Sequence, residues 1–413
     1  MTATRRLLLS ICVVCAASGP SAQQPPQPPA AAAAAAVPLR DRIQAYLDEW
    51  RSAAAFPGAS VGIALPDGTA FGVVTGVSDR AAGTPLTVDG LFLAGSTGKT
   101  LFAAVALQLV EKGVLDLDAP AAKYLGARPW FARLPNAKDV TVRHLMTHTS
   151  GIVRYEMDPA FTSALRAQPD KVWRPEEEVA FQLGATPPFA VGQGWDYSDT
   201  NYIVLGMIVE GLTHKAYYDE IRTRFLVPLH LDRIVPSTSR RIPGLVPGYA
   251  GPRDPLGLPD EMMVKGELVI NPQFEWAGGG FATTPLDLAR WGRELYAGRA
   301  LSPAARKLMI DAAVPARLGP ETKYGLGVII RPSSPVGLTW GHSGFFPGYQ
   351  TELIHLPDAG LTLAIQINSS APRATGPRSL LRGLYDIAAM VNAAGRTTAP
   401  AVPVTRSPAR AGT

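Results

Sequence analysis

The chain has 413 residues, more than the roughly 100–200 of an ordinary single domain, and its 46% hydrophobic and 18% charged content suits an enzyme-sized core. Its formal charge of +5 (39 − 34) is carried by the ends: without Arg5, Arg6, Arg396, Arg406 and Arg410 the rest holds 34 basic (39 − 5) against 34 acidic residues, and with no basic stripe a nucleic-acid role is excluded. Both cysteines, Cys12 and Cys15, fall in the first segment, so the chain beyond it has no disulfide, thiol nucleophile or cysteine metal site.

That first segment reads as an export signal over residues 1–22: Arg5-Arg6, the apolar run Leu7 to Ala17, then small residues to about Ala22. The run is too short for a membrane span, which takes about 20 residues. Thr4-Arg5-Arg6-Leu7-Leu8 leaves both the general and the twin-arginine export routes open. The expected location is therefore outside the cytoplasm, periplasmic or secreted, with no transmembrane helix in the mature chain. Residues 23–38, "QQPPQPPAAAAAAAVP", read as a tether, and 395–413 as a disordered tail.

Between these ends, Leu39 to Ala53 has helical periodicity (Leu39, Ile43, Tyr46, Leu47, Trp50). Two apolar runs, Ser60 to Leu65 and Ala70 to Val74, flank Pro66-Asp67-Gly68 and predict a hairpin; Gln350 to Leu356 and Leu361 to Asn368 repeat the device, followed by a helix from Ser379 to Val391. The expected fold is α/β (α+β): one antiparallel sheet built from both chain ends and flanked by terminal helices. A mainly helical insertion over about 118–274 completes a single domain at 39–394.

Leu93 to Gly113, "LAGSTGKTLFAAVALQLVEKG", has two readings. A phosphate-binding loop would need glycine at 93, where Leu93 stands, so Gly98-Lys99-Thr100 is not the end of one. The other reading is Ser-x-x-Lys, found once in this chain, at Ser96 and Lys99. A helix opening at Ser96 and stopping at Gly113 puts Lys99 one turn on, on the same face. A serine hydroxyl needs a base, and a lysine near 10.4 must fall by roughly 3 units, about 4 kcal/mol, to serve at neutrality. The bland alternative is a capping serine and a surface lysine.

Further on, His144 and His148 in "VTVRHLMTHTSGI" are four apart, a spacing that metal pairs also use. "WDYSDTNYIVLG" places Tyr197-Ser198-Asp199 before a helical run; Tyr-x-Asp recurs at Tyr46 and Tyr217, so the tripeptide carries nothing by itself. Trp276, before Gly278-Gly279-Gly280, either lines a cleft or packs, and Arg331 is a candidate for a substrate carboxylate. Gly341-His342-Ser343-Gly344 is not a lipase nucleophile elbow: Phe345 replaces the last glycine, and Pro347-Gly348 and a strand follow where a helix is required. Read as His-x-Gly on an edge strand, it offers a polar side chain at His342 and, past Gly344, an open amide at Phe345, which with that of Ser96 makes an oxyanion hole worth about 10²–10³ per donor.

In this order, Ser-x-x-Lys, Tyr-Ser-Asp and His-Ser-Gly resemble the serine hydrolases of the class C β-lactamase and D-alanyl-D-alanine carboxypeptidase family, across about Leu39 to Val391. "VTVRHLMTHTSGI", "AGGGFATTPLDLARW" (Ala277 to Trp291) and "YGLGV" (Tyr324 to Val328) add to the resemblance. It implies a β-lactamase/transpeptidase-like fold, Ser96 as the acylated nucleophile, Lys99 as its base and Tyr197 as a proton relay that also helps activate the deacylating water. It makes "RHLMTHTSG" a structural helix and turn, so no metal and no cofactor are expected. His342 stands where β-lactamases carry the lysine of Lys-Thr-Gly, and Asp199 where the family usually has asparagine. A carboxylate cannot donate to a substrate amide unless protonated. If Asp199 faces the cleft, it should penalise substrates that bring a carboxylate near it and favour neutral esters or amides.

The function this implies is an exported serine hydrolase acting through a Ser96 ester on stem peptides ending in D-Ala-D-Ala, β-lactams or small esters. A carboxylesterase on the same residues is the alternative, and a penicillin-recognising protein without turnover is the reading from another class.

Overall fold

The computed structural model describes residues 37–252, 254–371 and 379–398. The export signal and most of the tether and tail expected at the two ends lie outside the described residues.

In chain order the elements that build and flank the site are α1 (Leu39–Ala54), β1 (Gly58–Ala64), β2 (Ala70–Asp79), α2 (Lys99–Glu111), α3 (Val142–Thr147), α4 (Asp199–Thr213), α5 (Pro285–Tyr296), β3 (Ile329–Ser334), β4 (Gly337–Phe346), β5 (Tyr349–Leu356), β6 (Leu361–Ile367) and α6 (Leu380–Thr398). The main sheet runs β2-β1-β6-β5-β4-β3, antiparallel throughout, extended by Thr84–Pro85 beside β2 and by Lys323–Tyr324 and Val314–Pro315 beyond β3. Its centre is the junction of the two chain ends, where Ser60 of β1 pairs with Gln366 of β6. The expected helix ending at Val391 continues to Thr398, into the stretch expected to be tail.

Hydrophobic patterning sorts the elements onto two faces of the sheet. Ile43, Leu47 and Trp50, spaced four and three apart, form the buried stripe of α1, which meets Leu384, Ile387 and Ala388 of α6 over Val61, Ile63, Leu363 and Ile365. Each of these large side chains contributes roughly 1.5–3 kcal/mol by leaving water. On the opposite face α5 lies across β1, β6 and β5, and beyond it α2, buried almost all round, forms the hub of the larger core.

Residues 118–274 supply most of the remaining helices, among them Pro159–Ala167 and Pro175–Ala180 as well as α3 and α4. Among the described residues no helix is long and apolar enough to cross a membrane.

Inside this region Glu178 is 1% exposed, and neither of its carboxyl oxygens has a partner. Burial, then the neighbouring Glu156, Glu177 and Glu176, pushes its pKa well above the ordinary value. A raised folded-state pKa means stability that is complete below the unfolded value near 4.3 and is lost as pH rises through the folded one. Glu178→Gln should therefore flatten the fall of unfolding free energy between pH 5 and 8, by up to about 1.4 kcal/mol per pH unit for one proton. Parallel urea-unfolding profiles for wild type and variant would place the titration elsewhere.

Candidate active site

Ser96 does not open an α-helix. Gly95–Gly98 forms a 3₁₀ turn, and α2 begins at Lys99. Gly95 at φ +51° makes the turn, and a Cβ there would lie 2.6 Å from the backbone N of Phe345. One at Gly344 would lie 2.0 Å from the carbonyl oxygen of Ala94. Only glycines let the two backbones run this close.

β4 lies inside the sheet rather than at its edge. β3 pairs with it as far as Gly341, whereas from His342 to Phe346 its partner is β5 alone, and the Ala94–Thr97 turn takes the open flank. The amide of Phe345 thus sits beside Gly95, the residue before Ser96.

Lys99 is 0% exposed. Its Nζ is 3.1 Å from Ser96 Oγ and also contacts Asp199 Oδ1 and the carbonyl oxygen of Gly278. It lies 4.9 Å from the centre of the Tyr197 ring and 5.4 Å from that of Tyr202.

Asp199 is the first residue of α4. Its Oδ1 faces Lys99 and its Oδ2 accepts from Arg154 Nη2 at 3.0 Å, while Arg154 Nε donates to Glu156 at 2.6 Å. Burial pushes the Asp199 carboxyl up, but Lys99, the Glu156 carboxyl and Arg154 outweigh it and hold it well below the usual carboxylate range. Both oxygens are engaged by cations, so Asp199 does not offer the cleft a free negative charge.

Arg154 has no counterpart in the motifs of the sequence. Its signal was a charge count, since a carboxylate where the family has an amide calls for a second cation.

Tyr197 hangs over this pair. Its hydroxyl is buried without a partner. Burial, then Asp199, pushes the phenol well above its ordinary pKa, against the pull of Ser96 and Arg154, so the proton stays on it.

The tyrosine is positioned from behind by the "THTSG" turn. His148, fully buried, packs its ring 4.2 Å from that of Tyr197, and its Nδ1 accepts from the Ser198 amide at 3.2 Å and from Asn201 Nδ2 at 3.1 Å. Ser150 Oγ donates to Asn201 Oδ1, and Thr200 Oγ1 to the Val153 carbonyl. His144 caps α3 through Thr141. The two histidines therefore hold α3 and α4 in place and do not converge on a common point.

His342 is 1% exposed, with both ring nitrogens occupied: Nδ1 lies 2.7 Å from the Ser343 carbonyl and Nε2 2.9 Å from Tyr324 Oη. These partners assign the proton to Nδ1, with Tyr324 donating to Nε2. Burial and the charge of Lys99 push its pKa down to about 3 against the Ser343 bond, so the ring is neutral at physiological pH. Arg331 donates to Ser343 Oγ at 3.2 Å, beside Glu352, and does not line the cavity at Ser96. Trp276 is buried against Gly206 and Tyr217, so it packs.

The cavity at Ser96 has a volume of about 80 Å³, well below the roughly 300–1,000 Å³ that encloses a drug-sized ligand. Arg154, Glu156, Asp199 and Glu275 share its wall with Met157, Leu256, Phe274 and Phe345. A larger cavity, about 710 Å³, lies by Arg51, Arg80 and Tyr249 and contains none of these groups.

Comparison with known proteins gives this arrangement a context. Residues 39–384 match the family model described as Beta-lactamase. Penicillin-binding protein 4* of Bacillus subtilis is 28% identical over 296 residues, which cover 70% of this chain and 63% of that protein. Esterase EstB of Burkholderia gladioli is 32% identical over 186 residues, 43% of this chain and 46% of that one. The chain thus spans less than two thirds of the length of either relative. The crystal structure of D-amino acid amidase from Ochrobactrum anthropi SV3, complexed with L-phenylalanine amide, superposes with a TM-score of 0.72 at 26% identity, covering 87% of this chain and 99% of the amidase.

Proposed function

The chain belongs to the β-lactamase family of serine hydrolases, and from that premise we propose that it hydrolyses small esters or amides lacking a carboxylate beside the scissile bond, through an ester on Ser96. The contact set of Lys99 Nζ carries this reading. Two of its three neighbours, Asp199 Oδ1 and the Gly278 carbonyl, can only accept hydrogen bonds, and the third is Ser96 Oγ. Once its third proton has gone to bulk water, Lys99 keeps its other two hydrogens on those acceptors and its lone pair faces Ser96 Oγ, ready for the serine proton.

The sequence of events follows. Ser96 Oγ attacks the carbonyl carbon as its proton passes to Lys99, and the amides of Ser96 and Phe345 receive the oxyanion. The Tyr197 phenol gives its proton to the leaving alcohol or amine and regains one from the Lys99 ammonium, which restores the amine. Water then attacks the acyl-enzyme, losing its proton to the same pair, and Ser96 Oγ leaves with a proton.

Substrate choice rests on what β4 lacks. Where a substrate carboxylate would need a fixed cation, His342 is neutral with both nitrogens occupied, and Arg331 is turned to Ser343 and Glu352. Such a carboxylate would give up water for no partner. A location outside the cytoplasm belongs to the same proposal and rests on residues 5–22.

Side-by-side rates on a p-nitrophenyl ester, a chromogenic cephalosporin and a D-Ala-D-Ala peptide test it. The ester should exceed the other two in kcat/KM by at least about tenfold, the worth of one charge-assisted hydrogen bond. Faster turnover of the peptide or the cephalosporin would overturn the preference, and covalent trapping of penicillin without turnover of any substrate would favour a binding protein.

A further inference from the structure

Three carboxyl groups line the cavity at Ser96, and only two of them meet a cation. Lys99 pairs with Asp199, and Arg154 spans Asp199 and Glu156. Glu275 is left over. Among the described residues it has neither an ion pair nor a hydrogen bond, and its Oε2 is buried without a partner. Glu156, on the same wall and 8% exposed, keeps its Oε2 unpartnered as well. Met157, Leu256, Phe274 and Phe345 make the surroundings apolar. Glu275 is part-exposed, but its Oε2 is shut off from water with no donor in its place, and a carboxylate under-solvated on one side favours a cation placed there.

Building on the Ser96 reading, we propose that Glu275 receives the ammonium of the substrate, so that the preferred acyl donors are amino-acid amides or esters with a free amino group. Glu275 sits three residues before Gly278, whose carbonyl touches Lys99, so it is tied by one short segment to the base that faces Ser96. An amino group one carbon from the reacting carbonyl is a cation that stays within the cavity of about 80 Å³ that Ser96 and Glu275 both line. Burial raises the Glu275 pKa to about 8, with Lys99 pulling it down and Asp199 pushing it up. An ammonium at contact favours the carboxylate, as an opposite charge within about 4–6 Å does. Seating the substrate therefore shifts Glu275 toward the carboxylate. Arg154 is bonded to Asp199 and Glu156 and makes no ion pair with Glu275.

The test has two arms. In the first, kcat/KM is measured for alanine p-nitroanilide, both enantiomers, and for propionyl p-nitroanilide, which lacks only the amino group, with wild type and Glu275→Gln. The readout is the ratio of amino to desamino substrate, whatever happens to the individual rates. It should exceed about tenfold in the wild type, the worth of a hydrogen bond to a charged group, and collapse toward one in the variant. A ratio that Glu275→Gln leaves unchanged overturns the proposal while the Ser96 chemistry stands. In the second arm calorimetry on Ser96→Ala compares alaninamide with propionamide, so the ammonium is tested without turnover. Tighter binding of alaninamide, lost in Ser96→Ala/Glu275→Gln, supports the site; equal affinities overturn it. Thermal unfolding of each variant checks the fold.

Discussion

Replacing Ser96 with alanine should abolish covalent labelling by a fluorophosphonate or a fluorescent penicillin and lower turnover by about 10⁴-fold or more, the scale on which loss of an acyl-transfer nucleophile is felt. The protein should stay folded. The substitution removes one oxygen from a part-exposed side chain, and Lys99 keeps its contacts with Asp199 and the Gly278 carbonyl. Residual activity would come from the two backbone amides and from binding alone. Labelling that survives in the variant would move the nucleophile to another residue, and labelling lost together with the folded state would leave the decision to a Ser96→Cys variant. The thiol keeps a nucleophilic atom at the same position and should still be labelled by a thiol-directed acylating probe.

Sequence and structure agree where one local signal governs one local outcome. The hairpin turns at Pro66-Asp67-Gly68 and Pro357-Asp358-Ala359-Gly360, and the stripe Ile43, Leu47, Trp50, lead directly to strands and a helix, because turn chemistry and amphipathic spacing act within a few residues. The ordered motifs around Ser96, Tyr197 and His342 also come to one place, although 101 residues (197 − 96) separate the first from the second and 145 (342 − 197) the second from the third. What stayed hidden depends on contacts between distant segments. Ser-x-x-Lys gives no hint that Ser96 lies in a 3₁₀ turn, since the Phe345 backbone that forces the turn is some 250 residues away. His342 looks like a free polar group in "GHSG", and only its burial against Tyr324 and the Ser343 carbonyl shows a neutral ring. Arg154 and Glu275 carry no motif at all; their meaning is a charge balance that exists only once four segments meet around one cavity.

Asp199 is where the sequence and the structure lead to opposite expectations, so Asp199→Asn decides between them. From sequence, a carboxylate in the place of a substrate-facing amide should repel carboxylate-bearing substrates, and asparagine should raise peptide or β-lactam turnover relative to ester turnover by about 1–2 kcal/mol. In the structure both carboxylate oxygens are held, one by Lys99 and one by Arg154, so asparagine instead strands a fully buried ammonium and a half-buried guanidinium beside each other. Breaking one partner out of such a set costs about 3–5 kcal/mol. Asparagine also turns one acceptor of Lys99 into an amide that can present hydrogens, which disturbs the lone-pair direction on which Ser96 depends. The expected result is a drop in kcat of about 10²-fold or more, the scale of a misplaced general base, by one common factor on ester, peptide and cephalosporin. Chemical denaturation supplies the second readout. Because the folded-state pKa of Asp199 is depressed, its contribution is present above the unfolded value of roughly 3.9 and is lost as pH falls below it, so the stability gap between wild type and variant should hold from neutrality to about pH 4 and narrow under more acid conditions. Arg154→Met in the Asp199→Asn background should recover part of the gap, since one of the two stranded cations is gone, and the double-mutant cycle should show coupling of about 0.5–3 kcal/mol. A selective gain on the peptide, with no loss of stability, would instead place the carboxylate against the substrate and leave Lys99 to be held by the Gly278 carbonyl alone.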